Sequence, residues 1–129
     1  METTKYVDGF VLVVPKDKAE AYIKMANDGK SLWMKHGALA YFECRGDDLV
    51  PKEMGGAKPL GFKELAKASD DEDVWFSFIT YASKEHRDEV NAKVLEEMGA
   101  QADAYKDMIM PFEMNRMAYG GFAVEVSGE

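Results

Sequence analysis

The sequence contains little cysteine and histidine, and it lacks any long apolar run. Its single cysteine, Cys44, excludes a disulfide framework within the chain and favours a reducing compartment. The two histidines and the single cysteine are not spaced along the sequence as the ligands of a metal site are, so we expect no metal and no cofactor. No apolar run approaches the roughly twenty residues that span a bilayer, and the first residues lack the pattern of a signal peptide. We therefore expect a cytoplasmic protein without a membrane partner.

Basic residues are also scarce relative to acidic ones. The chain has 16 Lys and Arg against 24 Asp and Glu, which gives a formal net charge of −8 at pH 7. Affinity for nucleic acid comes largely from Lys and Arg that displace counterions from phosphates, so this balance argues against a nucleic-acid partner. The length of 129 residues and the hydrophobic fraction of 47% are typical of a globular chain. We expect one domain over residues 1–129.

Strand and helix patterns alternate along the chain in a recognisable order. Stretches rich in β-branched and aromatic residues predict four strands, at 5–14, 38–45, 73–81 and 115–126. Apolar residues at helical spacing predict a long helix after the first strand and another after the third. The order predicts an α+β fold of ferredoxin-like βαββαβ organisation. Its four-stranded antiparallel sheet would carry the helices on one face.

One long connection interrupts this pattern. An irregular arm is predicted at about 46–71, because this stretch holds two prolines and four glycines. A short helix is expected within it, near 62–67. Long connections inside a compact domain are often functional, so we weigh three roles for the arm: a lid over a site, a contact between subunits, and an ornament.

The third predicted strand has no polar side. Val74, Phe76 and Phe78 point to one face of the sheet, whereas Trp75 and Ile79 point to the other. Helices can cover only one of these faces. A large apolar patch seldom stays exposed to water, so the other face predicts a homodimer.

Several local strings, in this order and spacing, resemble the DUF1428 family over nearly the whole chain. The strings are Tyr-Val-Asp-Gly-Phe at 6–10, Glu-Cys-Arg-Gly-Asp-Asp at 43–48, Phe-Ser-Phe-Ile-Thr-Tyr at 76–81, Ser-Lys-Glu-His-Arg-Asp at 83–88, Met-Pro-Phe at 110–112 and Arg-Met-Ala-Tyr-Gly-Gly-Phe at 116–122. The resemblance implies a dimeric α+β barrel, in which two ferredoxin-like subunits pack sheet to sheet. The family has no established activity, so the resemblance implies no catalytic residue.

Polar residues inside the strands are the candidates for ligand binding or for the subunit interface. They are Tyr6, Asp8, Tyr41, Glu43, Arg45 and Tyr119. If Val7 and Val11 face the helices, side-chain alternation places these candidates on the open side of the sheet. Two such faces that meet in a dimer would enclose a mostly apolar pocket with a few polar groups.

Two interpretations of these residues remain open. In the first, Asp8 is a base or a hydrogen-bond acceptor, and Tyr41, Tyr119 and Arg45 orient a small organic ligand. In the second, Asp8 or Glu43 pairs with an arginine, either Arg45 or Arg116, as a structural contact across the dimer.

The functions that we consider follow from these interpretations. The chain would bind a small organic ligand between the sheets of the dimer, or act there as a cofactor-free enzyme. The alternatives are a non-catalytic ligand-binding module and a protein-interaction module that uses the arm. The enzyme hypothesis rests on fold analogy alone.

Overall fold

The structure is a computed structural model that describes residues 3–106 and 109–129. Within these residues the strands are β1 (Tyr6–Pro15), β2 (Ala40–Arg45), β3 (Glu72–Tyr81) and β4 (Ala118–Ala123). The helices are α1 (Ala19–Lys35), α2 (Phe62–Ala66), α3 (Lys84–Ala100) and α4 (Ala102–Tyr105). Single 3-10 turns precede α1 and β4, at Lys16–Lys18 and Met114–Arg116.

The four predicted strands and the two long helices are confirmed. The last strand is shorter than predicted, because the turn at Met114–Arg116 takes up its expected beginning. The start of α3 is fixed by Ser83, whose hydroxyl accepts a hydrogen bond from the backbone N–H of His86 at 3.0 Å. This is the usual way in which serine satisfies a free donor at a helix N-terminus.

The sheet is antiparallel throughout, in the order β2-β3-β1-β4. The central strands β1 and β3 pair along their full length, from Tyr6 opposite Tyr81 to Pro15 opposite Glu72. The prediction of an α+β chain with a four-stranded antiparallel sheet is therefore confirmed. The division of the chain into domains stays a prediction.

Helices α1 and α3 cover one face of the sheet. Tyr22 and Ala26 of α1 pack against Leu12 and Trp75, and Val90 and Val94 of α3 pack in a second cluster. The second cluster also contains Ala38, Ile79 and Tyr81. We call this side of the sheet the helix face and the opposite side the open face.

The predicted arm lies partly on the open face. Its helix α2 contacts β1 and β3, and the Phe62 ring packs edge-on against Phe76 at 6.3 Å between centroids. Val13 and Val74, which point to this side of the sheet, are buried. The sequence predicted all helices on one face of the sheet, but α2 lies on the open face, so this part of the prediction is wrong.

The assignment of side chains to the two faces is a correction. Asp8 pairs across the sheet with Ile79, and residues that pair in register share a face. Ile79 lies in the α3 cluster, and Asp8 is only 1% exposed, so both belong to the helix face. The same register places all six candidate residues on the helix face: Tyr6, Asp8, Tyr41, Glu43, Arg45 and Tyr119. The open face carries the alternate residues, including Val7, Val11, Phe42, Phe76, Phe78 and Phe122.

An ion pair connects Glu72, the first residue of β3 after the arm, with Arg116 in the turn before β4. The Arg116 guanidinium donates to both Glu72 carboxylate oxygens, at 2.5 and 3.1 Å, and Nη2 also donates to the Lys67 carbonyl at 2.9 Å. The hydrogen bond from Arg116 is the main reason that the pKa of Glu72 falls from 4.5 to about 2. The pair therefore stabilises the folded state only while Glu72 is ionised.

We expect Glu72→Gln to lower the free energy of unfolding near neutral pH and to have little effect near pH 2. A carboxyl whose pKa is lower in the folded state contributes stability above its unfolded pKa and loses it as pH falls through its folded pKa. The difference between wild type and variant should shrink as pH falls from about 4.5 to about 2. Urea unfolding at fixed protein concentration measures it, with the exposed Glu53→Gln as control. A difference that does not depend on pH would contradict this.

Candidate functional site

A cavity of about 810 Å³ lies between the helix face and helices α1 and α3. This volume falls in the range of small-molecule pockets, about 300 to 1,000 Å³. Its walls are mainly apolar and come from β1, both long helices and the segment before β4. The apolar and aromatic lining includes Phe10, Leu12, Met25, Leu32, Trp33, Leu95, Met98, Met110, Phe112, Met114 and Met117.

The carboxylate of Glu43 is the polar centre of this cavity. The Tyr22 hydroxyl donates to Oε1 at 2.7 Å, and the Tyr41 hydroxyl donates to Oε2 at 2.8 Å. The Ser77 hydroxyl also donates to Oε1. Three neutral hydroxyls therefore converge on one acidic side chain.

Local structure brings these four residues together. Tyr41 and Glu43 are two apart on β2, so both point to the helix face. Glu43 lies opposite Ser77 of β3 in the sheet register. Tyr22 descends from α1, where it is 3% exposed and packs against the Trp75 ring at 4.8 Å.

The two phenols are held in their protonated form. Burial raises the pKa of both tyrosines well above the ordinary value of 10, and the nearby Glu43 carboxylate raises it further. A phenol that stays protonated donates its hydrogen at any physiological pH. Tyr22 and Tyr41 therefore remain able to donate hydrogen bonds to Glu43 across that range.

The lining of the cavity combines flexible apolar side chains with few charged residues. Five methionines line the cavity, and their flexible thioether side chains can adapt to ligands of different shape. Among the described residues, Asp28 of α1 and Lys106 are the other charged residues that line it. The interior is therefore apolar around a single carboxylate.

The six predicted residues divide into three places. Tyr41 and Glu43 lie together in the cavity. Tyr6, Asp8 and Tyr119 form a second cluster on the helix face, around Arg87 of α3.

Arg45 pairs with neither group, but it lines a neighbouring pocket of about 490 Å³ together with Tyr41 and Glu43. Its guanidinium sits 5.0 Å from the centre of the Trp75 ring, and its Nε lies 3.9 Å from the Asp73 carboxylate. Within the subunit, Asp8 pairs with Arg87 and Arg116 pairs with Glu72, so the pairing of Asp8 or Glu43 with Arg45 or Arg116 across a dimer stays a prediction.

The second cluster is built on a buried ion pair. Nη1 of Arg87 donates to Oδ1 of Asp8 at 2.6 Å, and the two side chains are only 14% and 2% exposed. The guanidinium also lies over the Tyr6 ring, 4.9 Å from its centre. Gly121 lies opposite Asp8, and a Cβ there would come within 2.9 Å of Nη1. The arrangement is packed tightly, which fits a structural role.

Sequence reasoning missed Tyr22, Ser77 and Arg87. Tyr22 was visible only as part of the apolar stripe of α1, and Arg87 as a charge in the first turns of α3. Ser77 did carry a signal, because it is the polar residue between Trp75 and Ile79 on a face that is otherwise apolar. No group of three or more His, Cys, Asp or Glu residues within 3–106 and 109–129 is arranged to hold a metal ion.

The open face holds a shallower apolar groove of about 580 Å³. Phe42 and Phe122 are 49% and 62% exposed on this face, and Phe78 stacks on Phe42 at 4.9 Å. Gly9 and Gly120 also line the groove, and the Phe122 ring lies 3.4 and 3.7 Å from where their Cβ atoms would be. In the part of the chain that is described, no helix has both the length and the apolar content needed to cross a membrane.

Comparison with known proteins places the chain in a family. The model of a family described as a protein of unknown function, DUF1428, matches residues 5–114. The uncharacterized protein YbaA of Escherichia coli strain K12 is 42% identical over 118 residues, which cover 92% of this chain and 94% of YbaA. YbaA of Escherichia coli O157:H7 and of Shigella flexneri match to the same extent. The chain belongs to the DUF1428 family of proteins of unknown function.

Proposed function

We propose that the chain binds a small organic molecule with a mainly apolar body in the cavity between the helix face and the long helices. The observation that carries this proposal is the Glu43 carboxylate, which receives three hydroxyl donors inside an apolar space of about 810 Å³. Convergent polar groups in a large apolar pocket are the usual marks of a ligand site.

A purely structural role explains this space poorly. The space is a large apolar cleft that is partly open to solvent, and clefts of this size and lining are where small molecules usually bind. A carboxylate is also costly to withdraw from water. A ligand that fills the cavity accounts for both features.

The proposed assembly is a homodimer of ferredoxin-like subunits that meet through their open faces, as a dimeric α+β barrel. The βαββαβ chain order and the strand order β2-β3-β1-β4 support the ferredoxin-like assignment. The exposed aromatic rings of the open face support a second copy as its cover, because large apolar patches are rare on monomers. In this proposal the ligand cavity lies within each subunit instead of between the two sheets.

A cavity-filling variant tests the ligand site. Gly99 of α3 lines the cavity, and a Cβ added there would meet no atom within 4 Å. We expect Gly99→Trp to fold normally and to place its indole in the open space. Binding of the neutral dye 6-propionyl-2-(dimethylamino)naphthalene, followed by its fluorescence shift, should weaken by about tenfold or more because the pocket volume is occupied.

The matched control is Gly128→Trp, since a Cβ at Gly128 also meets no atom within 4 Å and Gly128 does not line the cavity. It adds the same side chain elsewhere and should bind the dye like wild type. If the dye binds Gly99→Trp as well as it binds wild type, the cavity is not the ligand site.

Cofactor-free catalysis is the second function that this site supports, because Glu43 is a carboxylate that could accept a proton from a bound substrate. A small-metabolite extract incubated with the protein and followed by mass spectrometry tests it. Compounds should disappear with wild type and persist with Glu43→Gln. Identical profiles for both proteins would leave ligand binding as the function.

A further inference from the structure

We propose that the ligand carries an amine, and that its ammonium group binds to Glu43 while its apolar body occupies the cavity. This inference rests on the proposed function and names the chemical class of the ligand. The geometry of the donors around Glu43 carries it.

Among the described residues, the hydroxyls around Glu43 offer acceptors to a ligand and no free donors. The hydroxyl hydrogens of Tyr22, Tyr41 and Ser77 are all directed at Glu43. What these hydroxyls present to a ligand is their oxygen lone pairs. An anionic head group at this floor would meet only other acceptors, whereas an ammonium group brings three donors of its own.

Glu43 itself retains capacity to accept. A carboxylate has about four lone-pair positions. Three hydroxyls donate to it, two at Oε1 and one at Oε2. The less occupied Oε2 can therefore accept a further hydrogen bond from a ligand.

Glu43 makes no ion pair with Lys, Arg or His among the described residues. Lys30 and Arg45 line a neighbouring pocket with Glu43 but lie beyond ion-pair distance. Arg45, the nearest arginine along the strand, lies over Trp75 and beside Asp73. Glu43 is half-buried and its three hydroxyl donors are neutral, so a positive ligand group would supply the counter-charge that these donors do not.

Aromatic rings also line the cavity around Glu43. Trp33 lies 6.4 Å from Tyr41, and Tyr22 meets Phe112 edge-on at 5.8 Å between centroids. A cation that lies within about 6 Å of the face of such a ring is attracted to it. The formal net charge of −8 further raises the local concentration of cations around the protein.

Three probes with one apolar body and different head groups test the inference: 4-phenylbutylamine, 4-phenylbutanol and 4-phenylbutanoate. Isothermal titration at pH 7 measures each dissociation constant, and displacement of the neutral dye places each probe in the cavity. We expect the amine to bind about tenfold or more tightly than the alcohol, since hydrogen bonds between charged groups are the stronger ones. The carboxylate should bind more weakly than the alcohol.

Variants assign this preference to Glu43. Glu43→Gln should bind the amine and the alcohol about equally, because it removes the charge and keeps the side-chain size. Glu96→Gln is the matched control, since it removes the same charge from an exposed position of α3 that does not line the cavity. Asp28→Asn tests the rim carboxylate, and both of these variants should keep the preference for the amine.

The outcomes separate the two proposals. If the alcohol or the dye enters the cavity and the amine binds no better, the ligand is not an amine while the cavity remains a ligand site. A preference lost in Asp28→Asn and kept in Glu43→Gln also overturns the assignment. If the dye and all three probes fail to bind wild type, the proposed function itself is wrong. If Glu43→Gln does not fold, the wild-type ranking together with a preference that persists in Asp28→Asn decides the inference.

Discussion

Replacing Arg87 by alanine is expected to lower the free energy of unfolding by about 3 to 5 kcal/mol, the usual cost of breaking a buried ion pair by removing one partner. The loss arises at Asp8, which is 1% exposed in the central strand β1. Without the guanidinium at 2.6 Å, its carboxylate would remain in the core without a counter-charge. A loss of this size is a large part of the total stability of most domains, about 5 to 15 kcal/mol.

The effect should depend on the charge of Asp8. In the double variant Asp8→Asn with Arg87→Ala, no isolated charge remains, so we expect it to be more stable than Arg87→Ala alone. Asp88→Ala serves as control, because Asp88 also accepts a hydrogen bond from Arg87, at 2.7 Å, but its side chain is 59% exposed. Exposed ion pairs contribute about 0 to 1 kcal/mol to the free energy of unfolding, so Asp88→Ala should change it little.

Urea unfolding followed by circular dichroism measures these differences. Equal stability of wild type and Arg87→Ala would mean that Asp8 finds water or another donor once the arginine is gone. A double variant no more stable than Arg87→Ala would mean that the loss comes from the packing of Arg87 on Tyr6 rather than from its charge.

The strand order along the chain was predictable because strands and helices have different apolar periods. Proline and glycine gave useful boundaries, since β1 ends at Pro15 and α1 ends just before Gly37, which has a φ of 110°. Glycine tolerates this conformation, which other residues rarely adopt. These signals are local, so one sequence is enough to read them.

The orientation of the sheet was not predictable in the same way. Alternation correctly grouped Tyr6 with Asp8 and Val7 with Val11, but it does not say which group meets the helices. A polar face usually indicates which side of a sheet meets solvent. β3 has no polar face, because Phe76 and Phe78 lie on one side of the strand and Trp75 and Ile79 lie on the other. Polar residues were therefore assigned to the open face, although they lie beneath the helices.

Their partners explain how polar residues can be buried there. Asp8 meets Arg87, which is 79 positions away, and Glu43 meets Tyr22, which is 21 positions away. Such distant contacts leave no local pattern. The sequence could therefore identify Tyr41 and Glu43 as candidates, but not the cavity that surrounds them.

Introducing a charge on the open face is expected to dissociate the proposed dimer. Phe122 is 62% exposed in the subunit, so Phe122→Glu should alter its folding little. In a symmetric dimer each substitution occurs twice, and burying an uncompensated ion costs several kcal/mol. Because about 1.4 kcal/mol changes a dissociation constant tenfold, we expect the dimer to weaken by about a thousandfold or more.

Light scattering coupled to size exclusion measures this change. Wild type should have twice the chain mass of 14.5 kDa at micromolar concentration, and Phe122→Glu should have the chain mass itself. The matched control is Ile23→Glu, which introduces the same charge at a half-exposed position of α1, on the other side of the sheet. It should remain a dimer, since the helices stay outside a barrel formed sheet to sheet. A monomeric wild type, or dissociation caused by Ile23→Glu and not by Phe122→Glu, would show that the open face does not form the interface.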